Sequence, residues 1–381
     1  GCRGWLKPLP PSARPAAPRP PRRRCMKWCC CGVSKVSDAT AEKADGERAG
    51  GSSDIETSQR TADVGVLPAV EAAVAPGLAA DALPVMPSQL SAPGVPRHGD
   101  GARQARDVRR QVMRENNALR KGELAPETSL LTPESCSNLP IPPKRKGRLS
   151  FSDRTTADAA LELAESFGKD NGQICVMNFA NGEHVGGGYL TGALAQEEDL
   201  CRRMPNLFTS LKRASQSRSY PFGPASHAPH LYSAVLFTPD VELYRRHEDF
   251  GFEPLAQDSR IKVSVVSAAA PNVRKSEAFD EQRLRETLHV VFRGPLVLQH
   301  SLRVLVVGAW GCGAFGGDPQ AMSELFRKVL VEDGFRDFYD EVHFAIPGRQ
   351  GDPNAAAFRR MLQTVDAGLQ QWPPRPDQAP Q

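Results

Sequence analysis

The sequence predicts an α/β protein, a largely buried sheet with helices on both faces. Two observations carry the prediction. From about residue 155 onward, apolar runs of strand length alternate with amphipathic helical stretches, the pattern of a sheet covered on both sides. Before residue 101 no apolar periodicity is sustained and Pro, Ala, Gly and Ser dominate. Such a segment cannot bury enough apolar surface to offset chain entropy. The 381 residues therefore divide into a disordered arm (1–100), one folded unit (101–372) and a Pro-rich tail (373–381).

Within the folded unit the elements follow in order. Ala102 to Leu124 spaces Val108, Val112 and Leu119 among many charges, which predicts a surface helix as an N-terminal extension. Thr156 to Phe167 has the Ala- and Leu-rich spacing of a second helix, and Gln173 to Asn178, with the apolar run Ile174 to Met177, reads as a buried strand. Leu194 to Arg203 is a short helix with Glu198 in its first turn. His230 to Phe237 and Ile261 to Ser267 are apolar runs of strand length. Glu281 to Phe292 is helical, Arg303 to Val307 a strand, and Pro319 to Glu332 a helix. Glu341 to Ile346 is the last expected strand and Pro353 to Gln370 the final helix. In an open sheet of this kind ligands bind beyond the carboxyl ends of the strands.

The first loop worth attention reads NFANGEHVGGGYLTGALAQEE from Asn178. Gly186, Gly187 and Gly188 remove three side chains in succession, so the backbone there can take φ > 0 and its amides can approach a ligand. Exposed amides of this kind make a nest for phosphate oxygens. Seven residues separate the glycines from Gln196, Glu197 and Glu198. Adjacent carboxylates raise one another's pKa, which helps to keep one protonated as a general acid. A phosphate cradle followed by an acid pair points to hydrolysis of a phosphorylated sugar derivative. On statistics alone, neighbouring Glu residues on a helix are solvent-exposed charge. His184 lacks a partner ligand in sequence, so a solvent-facing loop histidine is expected, with no metal and no cofactor required.

The second loop follows the strand Val304 to Val307 and runs from Gly308 to Pro319. Asp318 suits an N-cap and Pro319 a first helical position, so the loop offers amide donors and a positive dipole end to a diphosphate. Phe315, flanked by glycines, either packs on a ligand or folds inward. Gly311, Gly313 and Gly316 also fit a dinucleotide fingerprint, the mark of a nicotinamide-dependent oxidoreductase. That fingerprint normally opens the first βαβ unit, and its acidic residue belongs at the end of the next strand. Here Ile346 is followed by Pro347 and Gly348.

The formal charge of +4 is small for the length. Basic runs at Arg22 to Arg24 and at Lys144, Arg145, Lys146 and Arg148 could touch a polyanion, but a solvated loop is the plainer reading of both. No aromatics interleave with them, so dedicated nucleic-acid binding is not indicated. Five of the nine cysteines crowd into residues 2–31, and no apolar signal core or long apolar span accompanies them. A reduced intracellular setting, cytoplasmic or nuclear, is expected. Cys25, Cys29, Cys30 and Cys31 lack the two-pair spacing and the histidines of a zinc site. MKWCCCG, from Met26, has the form of an acylated N-terminus if translation starts there, with lipid anchoring through Cys29, Cys30 and Cys31. An unmodified arm is the alternative.

Taken with its surroundings, the first loop resembles that of the microbial-type poly(ADP-ribose) glycohydrolases, whose fold is a macrodomain variant. Their mark is a triple glycine, six to eight residues, then Gln-Glu-Glu. CRRMPNLFTSL after the acids, PDVELYRR, SAAAPNVR and VVGAWGCGAFGGDP fall in the family's order, and TTADAALELA resembles the helix before the active-site strand. The resemblance spans about residues 105–365. It implies a three-layer α/β/α macrodomain-like fold with a mostly buried mixed sheet. It also implies hydrolysis of ribose–ribose bonds in poly(ADP-ribose) by a monomer acting on the polymer or on ADP-ribosylated proteins.

By the same resemblance Glu198 is the catalytic acid, Glu197 holds ribose hydroxyls, and Phe315 orients the terminal ribose. Substrate contacts are expected from Asn181, Gly186, Gly187, Gly188 and Gln196, and from Gly311, Cys312, Gly313, Ala314, Phe315 and Gly316. Val185 and Gly317 depart from the family's usual proline and asparagine, and Tyr189 stands where a Phe or other aromatic is common. A macrodomain that binds ADP-ribose without cleaving it is the nearest alternative, since binding needs only the loops and a ribose contact.

Overall fold

A computed structural model describes residues 100–120, 125–137, 143–145, 147–168, 172–349, 351–366 and 370–371. The expectations for the arm, its cysteines, Arg22 to Arg24 and the tail therefore lie outside the described residues. In chain order the elements are α1 (Asp100–Leu119), β1 (Ser129–Leu131), α2 (Pro133–Ser137), β2 (Arg148–Ser152), α3 (Thr156–Phe167) and β3 (Ile174–Ala180). There follow α4 (Gln196–Arg203), α5 (Pro205–Gln216), β4 (Val235–Leu243), β5 (Ile261–Ala269) and α6 (Glu281–Leu298). The chain continues through β6 (Val304–Val307), α7 (Pro319–Arg327), β7 (Glu341–Ala345), α8 (Pro353–Val365) and β8 (Gln370–Gln371).

The strands form one mixed sheet in the order β1-β4-β5-β3-β6-β7-β2-β8. From β5 to β8 every neighbour is parallel, while β1 and β4 add an antiparallel edge. Alternation along β3 divides the interior. Cys175 and Met177 pack with α6, α7 and α8, whereas Ile174, Val176 and Ala180 pack with α3, α4 and α5. Helices on both faces of a mostly buried sheet make the expected three layers. Among the described residues no helix is long and apolar enough to cross a membrane.

Several boundaries differ from the sequence expectation, each for a local reason. The run from His230 opens as a 3-10 turn at Pro229–Leu231, because proline cannot donate to a ladder. β4 starts only at Val235 and crosses Pro239 at a register shift, where Asp240 takes φ 53°. α6 runs on past Phe292 to Leu298 despite Pro295, with Gly294, Pro295 and Leu296 all buried. The helix from Pro319 loosens into a π-turn at Lys328–Glu332. The basic run is not a free loop: Lys144 and Arg145 pair with Asp337 (3.7 Å) and Asp340 (3.5 Å), and Arg148 with buried Glu341.

Candidate active site

The acid pair is not solvated charge. α4 begins at Gln196, so Glu197 and Glu198 stand in its first turn, where the helix end favours negative charge. Glu197 is 3% and Glu198 7% exposed. Oε2 of Glu197 accepts from the Asn181 backbone N–H at 2.8 Å, and Oε1 from Asn178 Nδ2 at 3.4 Å. Burial pushes the Glu197 carboxyl up to about 8, and the charge of Glu198 adds to the shift, against the pull of the Asn181, Asn178 and Gly186 donors. At neutral pH Glu197 is therefore mostly protonated. Glu198 Oε1 accepts from the Gly188 N–H at 2.7 Å. Its Oε2 is buried and has no hydrogen-bond partner among the described residues.

The triple glycine does something other than the phosphate nest read from the sequence. Two of its amides are already committed: Gly187 N–H to the His184 carbonyl (2.9 Å) and Gly188 N–H to Glu198 (2.7 Å). The loop cradles the two carboxylates. Gly186 and Gly187 take φ 66° and 53°, a region that side chains disfavour. A Cβ on Gly187 would stand 2.6 Å from Glu198 Oε1 and 3.0 Å from Glu197 Oε2.

Gln196 is likewise not placed as a substrate contact. Its Oε1 accepts from Phe179 N–H (2.8 Å), and its Nε2 donates to the Met177 carbonyl (2.7 Å) and Thr156 Oγ1 (3.0 Å). The side chain ties the start of α4 to β3 and α3. Asn181 Oδ1 receives the Glu183 and His184 amides, both at 2.9 Å, which shapes the turn. The Asn181 side chain thus serves the loop through its oxygen, with its Nδ2 amide in no bond within the described residues. His184 is solvent-exposed.

The second glycine-rich loop meets the first because β5, β3 and β6 are parallel neighbours, so their carboxyl ends share one edge. Gly182 abuts Phe222 and Ala269, Gly308 abuts Phe179 and Ala345, and Gly311 abuts Ala270. Lys275 reaches Glu183 at 2.7 Å, and the Arg274 side chain lies against Gly316. Buried Trp310 anchors the second loop by donating to the Ala268 carbonyl at 3.0 Å. Loop turns take up the Cys312, Gly316 and Gly317 amides. Those of Gly313, Ala314 and Phe315 enter no backbone bond within the described residues, and the loop leads into α7, capped by Asp318. Phe315 is half-buried, packed partly against the core. Asn178, Trp310 and Arg274 are site neighbours that sequence reasoning did not select.

A buried acid pair at the carboxyl edge of a three-layer α/β/α sheet, beside a diphosphate-competent loop, defines a macrodomain-like glycoside hydrolase. Residues 104–246 match the family model "Microbial-type PARG, catalytic domain". The poly(ADP-ribose) glycohydrolase of Thermomonospora curvata is 28% identical, its structure matching 67% of this chain and 99% of its own with a TM-score of 0.55. Its complex with the inhibitor ADP-HPD matches with the same identity and a TM-score of 0.54, over 67% of this chain and 99% of its own. A Deinococcus radiodurans poly(ADP-ribose) glycohydrolase in complex with ADP-ribose is 30% identical over 66% of this chain and 98% of its own, at a TM-score of 0.50. No curated protein matches. The chain belongs to the microbial-type poly(ADP-ribose) glycohydrolase family. The oxidoreductase and binding-only alternatives give way to this class, and the Gly311, Gly313, Gly316 fingerprint follows the sixth strand of the sheet rather than the first.

Proposed function

We propose that this chain hydrolyses ribose–ribose glycosidic bonds of poly(ADP-ribose), free or on ADP-ribosylated protein, and releases ADP-ribose. The observation that carries the reading is the acid pair buried in the first turn of α4, with Glu198 held by the Gly188 N–H and Glu197 by the Asn181 N–H. Glu198 gives a proton to the departing ribose oxygen from Oε2 as an oxocarbenium-like centre forms, then takes one from the attacking water. The Gly188 N–H fixes its other oxygen, so the acid meets the bond in one orientation. Glu197, whose carboxyl is raised to about 8 by burial, can both donate to and accept from ribose hydroxyls. The diphosphate, held on the Gly313–Phe315 amides, stabilises the developing positive charge.

The four described cysteines are free thiols, which suits the reduced setting expected from the sequence; acylation of Cys29, Cys30 or Cys31 would add a membrane contact. The test is release of ADP-ribose from labelled polymer by the purified chain, with Glu198→Gln alongside. The variant should bind ADP-ribose with nearly unchanged affinity and turn over at a rate reduced roughly a hundredfold to ten-thousandfold, the loss expected when a general acid is removed. Turnover near that of the wild type would remove Glu198 from its role.

A further inference from the structure

We propose that α1 is part of the reaction's positioning apparatus, acting through the hydroxyl of Tyr189 on the turn that orients Glu198; the inference rests on the glycohydrolase reading. Tyr189 directly follows the triple glycine and is fully buried. Its backbone N–H closes the glycine turn on the Gly186 carbonyl at 2.9 Å, one residue from the Gly188 amide that holds Glu198. Its ring packs on Phe208 with centroids 4.8 Å apart. The hydroxyl accepts from Arg120 NH2 at 3.2 Å and from Asn116 Nδ2 at 3.4 Å, both at the carboxyl end of α1.

Those two side chains are fixed in turn. Asn116 donates to the Arg202 carbonyl (2.9 Å) and accepts from Arg245 (2.8 Å), and Arg120 donates to Thr209 Oγ1 (2.7 Å) and to the Asn116 carbonyl (3.0 Å). Arg120 is only 7% exposed, and among the described residues no carboxylate pairs with it. A buried cation aimed at a neutral phenol is costly for stability alone, and here it sets the position of the phenol. Farther along, Arg106 and Arg110 donate to the Thr191 carbonyl (2.9 and 3.1 Å) and Arg109 to the Gly192 carbonyl (3.2 Å). Both ends of the segment between Tyr189 and Gly192 are thus clasped by α1, and the segment leads from the glycines to the acids.

Tyr189→Phe removes the hydroxyl and keeps the ring packing. A displacement of about 1 Å at a reacting group lowers rates by roughly a hundredfold, and loss of this one contact should move Glu198 by less. The expected result is a kcat about tenfold lower, with KM, ADP-ribose affinity and melting temperature close to wild type. Arg120→Met should lower kcat similarly, Arg120→Lys should restore part of it, and Tyr189→Phe with Arg120→Met should be no slower than the slower single variant. Wild-type kcat in Tyr189→Phe, or independent losses in the double variant, would overturn the inference. If Glu198→Gln is inactive and Tyr189→Phe fully active, the inference falls and the glycohydrolase reading stands. A wild-type chain that releases no ADP-ribose from polymer would instead overturn that reading.

Discussion

Replacing Gly187 by alanine should damage chemistry far more than binding. The residue sits at φ 53°, where a Cβ costs about 1–2 kcal/mol of backbone energy. The new methyl would stand 2.6 Å from Glu198 Oε1, against the 3.4 Å at which ordinary contact begins. Relief of that overlap requires a shift of about 0.8 Å, by the carboxylate or by the loop. Either movement breaks the 2.7 Å hydrogen bond from Gly188. Misplacement on this scale lowers the rate roughly fiftyfold to a hundredfold. ADP-ribose affinity should fall by much less, because the diphosphate rests on the other loop. Gly313 is the internal comparison: its φ is not positive and nothing lies within 4 Å of its Cβ position. Gly313→Ala should fold as stably as the wild type, and any effect should appear in affinity. The assays are steady-state release of ADP-ribose from polymer and calorimetric titration with ADP-ribose. A Gly187→Ala enzyme with wild-type kcat, or one whose loss lies wholly in affinity, would refute the carboxylate-cradle reasoning.

Two further outcomes follow from the same geometry. Glu197 holds its proton up to about pH 8 when folded, against about 4.3 when unfolded, so its contribution to stability is full below about pH 4 and is lost as the pH rises towards 8. Glu197→Gln, neutral throughout, should therefore melt at an increasingly higher temperature relative to wild type between pH 5 and pH 8 in scanning calorimetry; a pH-independent difference would remove the raised carboxyl. A chain starting at residue 100 should retain turnover and melting temperature, whereas one starting at residue 125 loses the α1 clasp and should lose at least tenfold in kcat. Equal activity of the two truncated chains would detach α1 from the site.

Much of the fold was legible because its central strands are continuous, largely apolar runs. β1, with three residues, and β2, where buried Ser150 and Ser152 alternate with Leu149 and Phe151, carry too little apolar signal to stand out. The acids and both loops could be located by residue type and spacing, but not the directions of their amides. A run of glycines reads equally as a nest for phosphate or for carboxylates, and only the path of α4 back under the loop decides it. α1 was legible as an amphipathic helix with exposed charge. Its buried Asn116 and Arg120 were not, because their partners beyond the helix lie 69 to 129 positions away in sequence.

The three bonds of Gln196 bear on how this motif tolerates insertion. They fix the start of α4 to the backbone of β3 and to Thr156 without using any residue between Tyr189 and Ala195. The acids therefore take their height above the sheet from the strand, and the short stretch at Leu194 and Ala195, past the part that α1 clasps, acts as slack. A residue gained or lost there can bulge outward while Glu197 and Glu198 stay in place. That separation gives a physical reason why a glycohydrolase motif can vary the distance between its glycines and its acids while keeping glutamine next to the first acid.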